Sequence, residues 1–137
     1  MALIIVTGIF HPQTAVAKII TCDIGDHRLT GDYKGGGNVV EYVRSILGTK
    51  FRVNTKNIKQ FDVKLSDGWT RAPDVRASRA GKFNLYKFKF SDTFTDTKQK
   101  FTFNFSFRIY DNGKGYAEMK QTGNYVTMTA KGSCNNV

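Results

Sequence analysis

Few side chains in this chain are of types that do chemistry, and their spacing limits what each can do. The stretch Cys22-Asp-Ile-Gly-Asp-His27 sets an imidazole beside a thiol and two carboxylates. Those groups are the minimum for a general base or a metal-ligand cluster. A Ser–His–Asp or Cys–His arrangement would have to be built on His27, because the other histidine, His11, falls in a segment read below as a leader. No nucleophile elbow accompanies it. No second ligand cluster or familiar metal spacing accompanies it either. A turn capped by aspartate accounts for the same residues, so no metal and no cofactor is assigned. Asp62, Asp67, Asp74 and Glu118 are the acids from which a glycoside-hydrolase carboxylate pair would be drawn. Nothing in their spacing recommends them.

The basic residues form the stronger pattern. Lysine and arginine number 21 against 11 acidic residues, for a net charge of +10. Between residues 50 and 89 there are eleven basic and three acidic residues, so this span carries most of the excess. Arg71, Arg76 and Arg79 follow Trp69 in a stretch, 66–81, that reads as irregular; Lys82, Lys87 and Lys89 lie on the strand expected next. Arginine grips phosphate or sulfate with parallel hydrogen bonds, and an indole beside it offers stacking. These seven residues are the candidate anion-binding set. The partner they imply is a polyanion: a cell-wall polymer, anionic lipid headgroups or a glycosaminoglycan. Sequence-specific nucleic acid is not expected. The competing reading of the same charges is a solvated surface that keeps the protein soluble.

Two short motifs add little. Lys114-Gly-Tyr-Ala117 resembles the opening of the RNP1 motif of RNA-recognition domains for four residues. It departs at Glu118, where that motif has a second stacking aromatic, and it reads as turn chemistry before a strand. Asn104-Phe-Ser106 fits the N-glycosylation pattern but lies within an expected strand.

The elements that must position these residues are mostly strands. Phe101, Phe103, Phe105, Phe107 and Ile109 alternate with Thr102, Asn104, Ser106 and Arg108. A period of two puts the first set on one face of a strand. Register predicts its neighbours, since a one-residue slip reverses every side chain. Beyond the Asn112-Gly113 turn, the expected pairs are Ile109 with Ala117, Phe107 with Met119 and Arg108 with Glu118. Beyond Gly123-Asn124 they are Met119 with Met128, Ala117 with Ala130 and Gln121 with Val126. Upstream, Phe90, Phe88 and Tyr86 are set against Phe101, Phe103 and Phe105. The result is a four-stranded antiparallel meander spanning 82–134.

Residues 50–54 and 58–65 alternate weakly and are expected as strands. Asn38, Glu41 and Gly48 are cap signals around an apolar stripe of Val39, Val40, Val43, Ile46 and Leu47, which predicts one packed helix over about 39–47. The fold class expected is therefore mainly β (α+β): a small antiparallel sheet, strongly curled or closed into a barrel, with that helix packed on it. Eleven phenylalanines, six tyrosines and only two prolines suit a β-rich globular chain and exclude a disordered one.

Met1–Phe10 is apolar and uncharged, His11-Pro-Gln-Thr14 follows with a helix-breaking proline, and Ala15-Val-Ala17 puts small residues before Lys18, so residues 1–17 have the pattern of a secretory signal peptide. That leaves 18–137 as a single β-rich domain with no transmembrane helix. Two cysteines, Cys22 and Cys134, stand near the two ends of this domain, each on an alternating apolar series. They are expected to form a disulfide, which requires an oxidising compartment. The function expected is that of a small secreted or periplasmic, non-catalytic binding protein that holds an anionic polymer or surface through its basic loop. The alternatives are an inhibitor or accessory protein of an envelope enzyme, a structural surface subunit, and a hydrolase using a carboxylate pair.

Overall fold

The computed structural model describes residues 18–30, 44, 46–65, 67–93, 98, 100–121 and 127–137. The proposed leader and the glycine-rich stretch 32–38 lie outside them. Nine strands follow in order: β1 (Ile19–Thr30), β2 (Lys50–Asn54), β3 (Asn57–Leu65), β4 (Gly68–Arg71), β5 (Arg76–Ala80), β6 (Phe83–Thr93), β7 (Lys100–Tyr110), β8 (Lys114–Gln121) and β9 (Thr127–Asn135). They form one antiparallel sheet in the order β4-β3-β2-β1-β9-β8-β7-β6-β5. The first and last strands thus meet in the middle, and each half is a meander spreading outward from them.

Burial alternates as the period of two requires. On β7, Phe103, Phe105, Phe107 and Ile109 are buried while Thr102, Asn104, Ser106 and Arg108 are partly exposed. Ala117 and Met119 on β8, Met128 and Ala130 on β9, and Ile20, Cys22 and Ile24 on β1 continue the same face. The sheet curls until its two halves touch across that face. Phe51 on β2 lies 4.8 Å from Phe107 between ring centroids, and Phe61 on β3 lies 5.1 Å from Phe107 and 5.4 Å from Tyr86. Aromatic rings at such distances attract beyond the area they bury.

The curl does not close into a barrel. Among the described residues β4 pairs only with β3, and β5 only with β6. The chain between them passes through Pro73, which has no N–H to donate, and Asp74, whose φ of 44° breaks the extended path. An apolar cleft of about 580 Å³ remains at this seam, lined in part by Val63, Leu65, Ala72, Phe88, Phe90 and Phe105. Both edge strands are short and carry arginine, features that blunt edge-to-edge association.

Three further expectations need correction. The packed helix over 39–47 is not among the described elements: 39–43 and 45 lie outside the described residues. What is described is helical backbone at Arg44, Ile46 and Leu47, closed by Gly48 with φ of 75°. The stretch 66–81 is not irregular throughout but holds β4 and β5. Two registers are also shifted by two residues. β7 and β8 pair Ile109 with Gly115, Phe107 with Ala117, Phe105 with Met119, and Arg108 with Tyr116. β6 and β7 pair Phe90 with Phe103, Phe88 with Phe105 and Tyr86 with Phe107. The first shift arises because Gly113, with φ of 86°, ends a three-residue loop that begins at Asp111. The β8–β9 pairs Met119–Met128 and Ala117–Ala130 are as expected, and Val126 lies outside the described residues.

Cys22 and Cys134 are directly opposed on β1 and β9 and form a disulfide, with Cα atoms 3.9 Å apart. Gly115 on β8 sits against it. A Cβ there would fall 2.9 Å from the Cys134 Sγ and 3.2 Å from the Cys22 Cβ. Gly115→Ala is expected to destabilise the protein by about 1–3 kcal/mol, the usual range for overpacking. Urea denaturation of the variant checks this; an unchanged midpoint would mean the bridge shifts aside freely.

Candidate anion-binding surface

The seven basic and aromatic residues divide into three groups, because a strand sends residues three apart to opposite faces. Arg76 pairs with Lys87 on one face of the β5–β6 hairpin, whereas Arg79 pairs with Asn84 on the other. Lys82 is in the turn between the two strands. At this end Arg79 makes a two-pronged ion pair with Asp111, Nη1 to Oδ1 at 2.8 Å and Nη2 to Oδ2 at 2.6 Å. The shared hydrogen bonds hold the Asp111 carboxyl below its ordinary range and raise the Arg79 guanidinium further. Arg79 therefore has its fork engaged by a neighbour.

Arg76, Lys87 and Lys89 stay together. They line a groove of about 630 Å³ on the outer, polar face of the sheet, with Asn104 and Ser106 of β7, Glu118 and Lys120 of β8, and Pro73, Asp74, Phe88 and Phe105 around it. The register explains the grouping. Arg76, Lys87, Ser106 and Glu118 form one row across four strands, and Lys89, Asn104 and Lys120 form the next. Arg76, Lys87 and Lys89 make no ion pair among the described residues, while Lys120 lies 3.4 Å from Glu118. Lys120 escapes a reading of the basic span because it enters only through this register.

Trp69 and Arg71 stand apart, on β4. The Trp69 ring is covered by Arg52, whose guanidinium carbon is 4.1 Å from the ring centroid, and Lys64 approaches at 5.7 Å. Arg71 donates from Nε to Asp62 at 2.7 Å. Arg52, which sequence reasoning did not single out, donates from Nε to the other Asp62 oxygen at 3.1 Å.

The residues weighed for catalysis are placed as follows. Both ring nitrogens of His27 face backbone carbonyls, Nδ1 that of Gly25 at 3.1 Å and Nε2 that of Gly48 at 2.7 Å. His27 thus ties the β1 bulge to Gly48. Among the described residues, no three His, Cys, Asp or Glu side chains group as a metal site. Of the four acids, Asp62 is held by two arginines, Asp67 borders the seam cleft, and Asp74 and Glu118 both border the basic groove. The tyrosine of the RNP1-like stretch, Tyr116, stacks on Arg108, whose guanidinium carbon is 5.2 Å from its ring and 5.0 Å from that of Phe83. Burial, with the nearby Glu118 charge second, raises the Tyr116 hydroxyl above its ordinary value.

No helix among the described residues is long and apolar enough to cross a membrane. Comparison with known proteins found no matching family model, no matching curated protein and no matching solved structure.

Proposed function

We propose that this is a small exported, non-catalytic binding protein that holds an anionic polymer or surface along the outer face of β5–β8. The observation that carries the reading is the groove in which Arg76 of β5, Lys87 and Lys89 of β6 and Lys120 of β8 converge across the intervening β7. Three of these cations have no acidic partner among the described residues, so their charge faces solvent. Lysines spaced along a sheet match a ligand with repeating negative charge better than a single small anion. Export is supported by the disulfide, which persists in oxidising compartments. The non-catalytic reading is supported by the engagement of His27 and Asp62 in structural hydrogen bonds.

Chromatography on heparin tests the proposal. The protein is expected to be retained at low salt and released at moderate salt, with the logarithm of affinity falling linearly with that of salt. Lys87→Ala/Lys89→Ala should reduce that slope by about two, one per lost contact. Lys56→Ala/Lys59→Ala, in and beside the β2–β3 turn, should leave it unchanged. Absence of retention at low salt would rule the proposal out.

A second reading rests on Asp74 and Glu118 bordering the same groove. A carboxylate pair there is what a glycoside hydrolase would use. That reading predicts turnover of a polymeric glycoside that disappears in Asp74→Asn and Glu118→Gln while retention persists.

A further inference from the structure

Arg71, Asp62 and Arg52 stand opposite one another on β4, β3 and β2, in one row across three strands. The Asp62 side chain is only 10% exposed, and each of its oxygens accepts one arginine Nε–H. A guanidinium carries five N–H groups in a rigid plane. Anchoring it through Nε fixes that plane and leaves the Nη groups to point past the carboxylate. The Nη groups of Arg52 and Arg71 make no hydrogen bond among the described residues. Trp69 stacked on Arg52 at 4.1 Å restrains that guanidinium further.

A pocket of about 260 Å³ opens beside the pair, lined by Ile19, Arg52, Asn54, Gln60, Asp62 and Arg71. Each of its side-chain acceptors already takes a donor. Both Asp62 oxygens take arginine, Gln60 Oε1 takes the Asn54 amide at 2.8 Å, and Asn54 Oδ1 takes the Lys56 N–H at 2.9 Å. The Gln60 amide N–H groups and the arginine Nη groups remain, so the pocket offers donors and an excess of one positive charge.

We propose that this pocket binds one tetrahedral oxyanion, a phosphate or sulfate group either free or as a terminal ester, between the Nη groups of Arg52 and Arg71. Two guanidinium planes anchored on different strands approach such an anion from two directions, which its several oxygens accommodate. The site goes beyond the proposed function, because it takes a single group and uses none of the groove lysines.

Trp69 is the only tryptophan of the chain, so its emission reports on Arg52 directly. Inorganic phosphate and sulfate, and a simple monoester of each, are titrated into the full chain at low ionic strength, with chloride as the matched control. A saturable change with the oxyanions and none with chloride is expected. Arg71→Lys keeps the charge but loses the fork, and should weaken binding about tenfold or more. The Arg71 side chain is 58% exposed, and lysine keeps a positive charge beside Asp62. Gln60→Ala, also exposed, should weaken binding by a smaller factor and serves if Arg71→Lys disturbs folding. Lys87→Ala/Lys89→Ala should not alter the titration, which separates this site from the groove. Tighter binding of the monoester assigns the source to an esterified polymer or headgroup; tighter binding of the inorganic ion assigns it to free anion. No saturable change with any oxyanion, or a change untouched by both Arg71→Lys and Gln60→Ala, would overturn the proposal and leave the arginines as a cross-strand tie.

Discussion

Phe107→Ala is expected to lower the unfolding free energy by about 3–5 kcal/mol, the range for removing a fully buried phenylalanine. Phe107 has no solvent exposure and stands where the two halves of the sheet meet. Its ring lies 4.8 Å from Phe51 and 5.1 Å from Phe61 on one half, and 5.6 Å from Phe88 on its own. Truncation removes those contacts together and leaves a void walled by rings on rigid strands, which collapses poorly. Against a usual total of about 5–15 kcal/mol, that loss is a large fraction. Phe107→Leu leaves a smaller void and should lose less. A loss below about 1 kcal/mol in Phe107→Ala, ordinary for an arbitrary substitution, would mean the halves are not joined through this ring.

Removing the disulfide should have a comparable effect by another route. The bridge joins residues separated by 112 positions. In chain-entropy terms, a loop of that size restricts the unfolded chain enough to stabilise the fold by roughly 4–5 kcal/mol. The native side loses little, because β1 and β9 remain paired through their backbones on both sides of Cys22 and Cys134. The Cys22→Ala/Cys134→Ala variant should therefore keep its circular dichroism spectrum under native conditions and unfold at a much lower urea concentration. Urea unfolding of the wild-type protein with a reductant present should move the midpoint in the same direction. An unchanged urea midpoint would show that the bridge is dispensable.

How much of this was legible in the sequence depended on whether the signal was local. The alternation through Phe103, Phe105, Phe107 and Ile109 identifies a strand and its buried face without reference to anything distant. The same alternation cannot choose between registers two residues apart, since both keep the apolar faces together. Gly113 makes that choice through its backbone conformation, and a hydrophobic pattern does not contain it. β4 and β5 were invisible for a related reason. Gly-Trp-Thr-Arg and Arg-Ala-Ser-Arg-Ala are largely exposed edge segments held by backbone pairing, with little apolar alternation to mark them. Missing β5 also hid the separation of Arg76 from Arg79, which share a stretch of sequence but not a face of the sheet.

The candidate sites show the same division. The excess of basic charge and its location were readable from composition. The row Arg52–Asp62–Arg71 was not, because its members come from three strands joined by two hairpins and meet only once both registers are known. That the barrel stays open was not legible either, because it depends on β4 and β5 not pairing with each other, and neither strand was marked in the sequence. The cysteines were easier, because the sequence holds just two and each stands on an alternating apolar series.

The binding account is tested most directly by mapping where a polyanion touches the protein. Amide and side-chain NMR shifts followed during titration with a heparin oligosaccharide at low salt should move first and furthest at Arg76, Lys87, Lys89 and Lys120, with Arg79 and Lys82 moving less. Shifts centred elsewhere, such as Lys56 and Lys59, or no shifts at saturating oligosaccharide, would contradict it.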